Sequence, residues 1–106
     1  MYPTLDLGVA MHPDRTILTV SGELDMDTAP NLTEAADAID LHGQTLALDL
    51  SAVTFVDSCG LNALLALRHR VGLAGGMLEL CGLCDQALHL LDLTGTRPLF
   101  ALRTGP

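Results

Sequence analysis

Leu46-Ala-Leu-Asp-Leu-Ser-Ala-Val-Thr-Phe-Val-Asp-Ser-Cys-Gly-Leu61 decides the fold of this chain. Leu46 to Leu50 reads as a short buried strand, followed by a loop, and Asp57-Ser58-Cys59-Gly60 opens an amphipathic helix. Asp57 suits the N-cap, where its carboxylate can accept from the amide of Cys59 or Gly60. Ser58 then becomes the first helical residue and points outward, among unpaired N–H groups at the positive end of the helix dipole. Val56 and Leu61 bracket this start as a hydrophobic staple. Gly60 is costly inside a helix, by about 1 kcal/mol against alanine. Either another chain or element packs closely on this turn, or the chain bends tightly there.

Outward from this stretch, the pattern alternates strands and helices. Leu5 to His12 and Thr16 to Ser21 read as a hairpin around Pro13-Asp14-Arg15, with Gly22-Glu23-Leu24-Asp25 breaking the period. A first helix starts near Thr28, takes Pro30 in its first turn and closes at His42-Gly43. The second helix spans Ser58 to Leu73, with Arg68, His69 and Arg70 near its C-terminal end and Gly75-Gly76 as its exit. Met77 to Cys81 is a strand, Asp85 to Leu93 a third helix, and Pro98 to Leu102 a last short strand. This order predicts one α/β domain over residues 1–106. Its sheet is mixed, mostly parallel and of four to five strands, with an N-terminal hairpin and three to four helices packed on it.

Composition narrows the function. The chain has 106 residues, 49% hydrophobic and 17% charged, enough to fill a core without staples. No apolar run approaches the ~18–20 residues of a membrane span, and Asp6 stands where a signal peptide would be basic. A cytoplasmic protein is expected. A net charge of −8 opposes nucleic acid and anionic membrane, and favours a protein partner with a basic face. The absence of lysine excludes Schiff-base and P-loop chemistry. Three cysteines, an odd number, fit reduced thiols better than a secreted disulfide framework.

Several chemistries can be weighed for the serine and its surroundings. A nucleophile elbow requires Gly-x-Ser-x-Gly, but Val56 occupies the first glycine position. Asp85 and His89 lie four apart on one helix and face each other rather than Ser58. Anion binding is weakened by Asp57, Asp49 and the negative field. Phosphate on Ser58 would be tolerated by the helix terminus while changing the face shown to a partner. From the residues alone, that switch and a plain capping role stand level. Asp25 and Asp27 can form a carboxylate pair, cap the first helix, or recruit a basic surface, with capping the simplest. Cys81-Gly-Leu-Cys84 has the spacing of a redox pair but not the chain order of thioredoxin-like domains; a buried structural Cys81 is expected. A zinc site from Cys59, Cys81, Cys84 and His89 lacks a second paired motif. His12, His42 and His69 read as solvated turn or helix-end residues. No metal or cofactor is expected.

Three segments make the chain resemble the STAS family, in particular its stand-alone anti-sigma factor antagonists. They are Ser21-Gly-Glu-Leu-Asp25 with Thr28-Ala-Pro30, Leu48 through Leu61, and Gly76-Met-Leu-Glu-Leu-Cys81 through Leu90-Leu-Asp-Leu-Thr-Gly95. The resemblance implies a binding module without an active site, phosphorylated at Ser58 by an ATP-dependent anti-sigma factor serine kinase. Unphosphorylated antagonist binds that kinase and frees a sigma factor; a serine phosphatase resets the phosphorylated form. The implied partner face comprises Asp57, Ser58, Cys59, Gly60 and Asn62 with Asp25, Met26 and Asp27. Two departures stand out. Cys59 replaces a common serine or threonine, and the C-terminus is short where many relatives add a helix. The second leaves a sheet edge or helix face open and bears on oligomeric state, for which a monomer or weak homodimer is expected. A STAS scaffold, a lipid-transport accessory subunit and a Cys81/Cys84 thiol–disulfide protein remain the alternatives.

Overall fold

The computed structural model describes residues 5–103. The outermost residues of the expected domain, 1–4 and 104–106, lie outside them. Strands β1 (Asp6–Met11) and β2 (Arg15–Leu24) form the antiparallel hairpin. Helix α1 (Ala29–Asp37), β3 (Thr45–Val56), α2 (Ser58–Leu73), β4 (Met77–Cys81), α3 (Asp85–Thr94) and β5 (Ala101–Arg103) follow. The strands lie in the order β1-β2-β3-β4-β5, and all pairs after the first are parallel. The expected mixed, mostly parallel sheet with an N-terminal hairpin is therefore present. No helix among the described residues is long and apolar enough to cross a membrane.

Alternation along the strands sends Leu18, Val20, Leu46, Leu48, Leu50 and Leu80 to one face. There they join Leu32 and Ala36 of α1, Leu61, Leu64, Leu67 and Val71 of α2, and Ala87 and Leu91 of α3 in one core. Ala47 and Cys81 are buried on the opposite face, outside that core. Beside them the nearly buried Glu79 carboxylate has Arg103 Nε at 3.0 Å and an Arg15 nitrogen at 3.9 Å. Two cations from β2 and β5 thus flank the one acid of β4, which limits the cost of burying it.

The largest departure from the sequence reading is strand length. Gly22-Glu23-Leu24 does not end β2, and β3 does not stop at Leu50. Both continue because the register shifts twice: β3 takes seven steps from Asp49 to Val56 while β2 takes five from Thr19 to Leu24. Two extra residues in β3 act as bulges, which bend and twist the strand. They also space the buried residues Leu50, Val53 and Val56 by three, so the strand loses its two-residue signature. The segment before the serine, which reads as a loop in the sequence, is strand up to Val56, with Asp57 alone between strand and helix.

Two smaller corrections concern ends. Helix α1 stops at Asp37 rather than at His42-Gly43. Ala38 and Ile39 donate to carbonyls three residues back, and the Asp40 carboxylate then accepts from the His42 amide. Such local bonds compete with helix continuation. Near the C-terminus, Arg97–Leu99 forms a 3-10 turn, and the last strand is Ala101–Arg103 instead of Pro98 to Leu102.

The extended strand tips explain Gly60. A Cβ there would run into the Leu24 carbonyl oxygen and sit 2.9 Å from Leu24 Cγ. That same carbonyl accepts from the Asp57 amide at 3.1 Å, so it cannot move aside without losing a bond. The glycine is therefore required by close packing of β2 on the first turn of α2. Helix propensity alone would make Gly60→Ala stabilising by about 1 kcal/mol. The clash reverses the sign, and urea unfolding of Gly60→Ala should show a net loss of about 1–3 kcal/mol. An unchanged or raised midpoint would refute this packing.

Candidate functional site at the start of helix two

The parallel strands β2 and β3 end side by side, so the chain leaving each arrives at the same end of the sheet. Asp57 adopts extended backbone angles and caps α2, its Oδ1 accepting from the Gly60 amide at 2.8 Å. This is the cap expected from the sequence. Its second oxygen was not: Oδ2 accepts from the Met26 amide at 3.1 Å. One carboxylate thus ties the helix start to the loop after β2. Val56 and Leu61, the N′ and N4 positions of a staple, are both buried in the core.

The loop after β2 is ordered by its own side chains. Asp25 Oδ1 accepts from the amides of Asp27 at 3.0 Å and Thr28 at 3.1 Å. The buried Thr28 hydroxyl donates to the Glu23 carbonyl at 2.6 Å and accepts from the Asp25 amide at 3.0 Å. The Asp25 main-chain carbonyl accepts from the Ala29 amide at 2.8 Å and so caps α1. Of the two acids, Asp25 is therefore engaged in holding the loop, while Asp27 is exposed. Thr28 as the buried organiser of this loop escaped the sequence reading, although a threonine three residues after an aspartate is a common turn signal.

Ser58 is exposed as the first residue of α2, and Asn62, one helical turn further on, is exposed on the same side. Met26 is 67% exposed although its amide is bonded, so an unbranched apolar side chain stands out beside the serine. The structure thus brings Asp25, Met26, Asp27, Asp57, Ser58, Cys59 and Asn62 to one end of the molecule. Gly60 is corrected: it is buried against Leu24 and cannot face a partner, so its part is to let that face form. A shallow groove of about 520 Å³ adjoins the site, lined by the apolar Met26, Ala29 and Pro30, by Cys59 and Thr33, and by the acids Glu34 and Asp37. The four ion pairs among the described residues involve Arg15, Arg70, Arg97 and Arg103, and none engages the acids of this end except Asp37, which Arg70 holds.

The cysteines are dispersed. Cys59 lines the groove, Cys81 ends β4 and Cys84 is the N-cap residue of α3. Burial raises the Cys81 thiol pKa above its ordinary value, and the charges of Glu79 and Asp49 push the same way. A thiol held protonated is a poor nucleophile, which weighs against a redox role for Cys81. Asp85 and His89 are exposed on α3. Among the described residues no three His, Cys, Asp or Glu side chains are placed to hold a metal ion. Timed alkylation of the native protein near pH 8 should modify Cys59 and Cys84 before Cys81, with all three equal after unfolding in guanidinium. Equal native rates would contradict the burial of Cys81.

Comparison with known proteins agrees with this fold. The STAS domain pattern matches residues 8–105. The anti-sigma-F factor antagonist RsfB of Mycobacterium tuberculosis is 33% identical over 101 residues, covering 92% of this chain and 83% of that protein. An anti-sigma factor antagonist from Mycobacterium paratuberculosis superposes with a TM-score of 0.81 at 33% identity, over 93% of this chain and 85% of the other. The Bacillus cell-fate determinant SpoIIAA in its phosphorylated form gives a TM-score of 0.69 at 17% identity, over 93% and 92% of the two chains, a likeness of fold.

Proposed function

The chain belongs to the STAS domain family, and from that premise we propose that it is an anti-sigma factor antagonist switched by phosphorylation of Ser58. The observation that carries the reading is the exposed Ser58 hydroxyl on a helix start held by the Asp57 bridge between Gly60 and Met26. A hydroxyl to be modified must be reachable, and a face to be recognised must be fixed beforehand. Both conditions hold at this end of the sheet. In the unphosphorylated state the face formed by Met26, Asp27, Ser58, Cys59 and Asn62 docks on an anti-sigma factor serine kinase, which lets go of its sigma factor. The acids and the overall charge of −8 suit a basic partner surface.

The kinase then transfers the γ-phosphoryl group of ATP to Ser58 Oγ. The O–P bond forms as the bond to ADP breaks, and the hydroxyl proton passes to a base on the kinase. Magnitudes decide what this does. At the positive end of α2 a phosphate gains about 0.3–1 kcal/mol, so the antagonist itself keeps its fold. At the partner surface, an added dianion beside Asp57 and Asp27 must be desolvated without a cation supplied by this chain, at a cost of several kcal/mol. Release of the partner wins. A serine phosphatase restores the hydroxyl. On this reading the protein is a cytoplasmic binding module, with ATP and the catalytic groups belonging to the kinase.

The test is intact-mass analysis after incubation with ATP and the anti-sigma kinases of the same cell. The native protein is expected to gain one phosphate and Ser58→Ala none, while Ser58→Ala still binds. Phosphate on both proteins, or on neither, would overturn the assignment of Ser58.

A further inference from the structure

We propose that Gln86 is a positioning residue for Ser58, its side-chain amide serving as a one-residue strand that fixes the end of β3; this rests on Ser58 as the phosphate acceptor. The ladder between β3 and β4 ends at the Asp49–Cys81 pair. Beyond it β3 continues to Val56 with, among the described residues, a strand partner on its β2 side only, where Leu24 pairs with Val56. At Val56 the Gln86 side chain closes the other side. Its Oε1 accepts from the Val56 amide at 2.9 Å, and its Nε2 donates to the Val56 carbonyl at 2.7 Å.

A primary amide offers one acceptor and one donor side by side, the complement of a residue's own N–H and C=O. A glutamine on an exposed helix turn is ordinarily solvated, but here both of its polar atoms are engaged on one residue two positions before Ser58. Its placement is also built in. Gln86 is the second residue of α3, which Ala87 and Leu91 anchor in the core. The turn into α3 passes through Gly82 at φ +72°, so close to β3 that a Cβ there would lie 2.8 Å from the Ser51 Cβ. The start of α3 is therefore clamped on β3, and Gln86 is delivered to Val56. Val56 is held from both sides, by Leu24 and by Gln86, and Ser58 follows it with only the capping residue between.

Two substitutions test this. Gln86→Met removes both bonds at similar length. Gln86→Glu keeps an acceptor for the Val56 amide but, when ionised, sets an oxygen against the Val56 carbonyl. Protonation of that glutamate restores a donor, so its folded-state pKa should lie above the ordinary ~4.3. The recovered stabilisation is then fully present below about pH 4.3 and is lost as pH rises through the raised value. Hydrogen-exchange protection of the Val56 amide should be reduced in both variants at pH 7. It should return toward wild type on acidification only in Gln86→Glu, a profile that loss of packing would not produce. Both variants lose the donor to the Val56 carbonyl at neutral pH, and kcat/KM for phosphorylation should fall about three- to tenfold in each, the loss expected for one hydrogen bond.

Wild type that is phosphorylated, with both variants at the same rate, overturns the role of Gln86 and leaves Ser58 as acceptor. Slow phosphorylation with unchanged Val56 protection overturns it as well, because the effect would not pass through β3. Wild type that takes no phosphate overturns the reading of Ser58, and this role with it.

Discussion

The Asp57 carboxylate is the contact on which the site depends. One oxygen satisfies the Gly60 amide at the start of α2 and the other the Met26 amide in the loop after β2. An N-cap commonly contributes about 1 kcal/mol to the helix it starts. Here the same group also joins two segments that are 31 residues apart in the chain. Without that bond the loop could keep its internal Asp25–Thr28 turn, yet its orientation toward Ser58 would be unfixed. The surface that carries Met26, Ser58 and Asn62 is thus one object because of a single bidentate acceptor.

The bond can form only because the strand tips are where they are. Two bulges in β3 carry it past the end of β4 and keep its tip paired with β2, so that the Leu24 carbonyl meets the Asp57 amide and Gly60 packs beneath it. This economy has a consequence for dynamics. The serine sits one residue beyond a paired strand instead of at the tip of a mobile loop, so little ordering entropy is lost when a partner docks. A phosphate added there changes charge and bulk but has no reason to refold the segment. On the proposed function the switch therefore operates at the interface and not in the core.

Much of this was legible in the sequence wherever the signal is local. Helix α2 was bounded at both ends by Asp57 and by Gly75-Gly76, β4 by its apolar run, and the hairpin by Pro13-Asp14. The staple residues and the exposed serine followed from the same few positions. What was hidden depends on register or on distant pairing. The bulges replaced the two-residue period of β3 by a three-residue one, so its second half looked like a loop. Bonds from Met26 to Asp57 and from Gln86 to Val56 join residues about 30 apart, and no pattern within either segment announces them. Gly60 is instructive in between. Its cost in a helix signalled close packing, but only the structure shows that the neighbour is Leu24 of the same chain and not a partner.

On the proposed function, Ser58 gates docking on a preformed face without altering the fold that presents it. The most direct measurement is the affinity of the anti-sigma kinase for the unmodified protein and for the protein carrying phosphate on Ser58, with amide NMR spectra of both forms. If Ser58 gates docking, affinity falls by at least about a hundredfold, the equivalent of roughly 3 kcal/mol, with shifts confined to the residues around Asp57 and Met26. Equal affinity for the two forms would contradict it, as would lost affinity accompanied by spectral changes throughout the sheet.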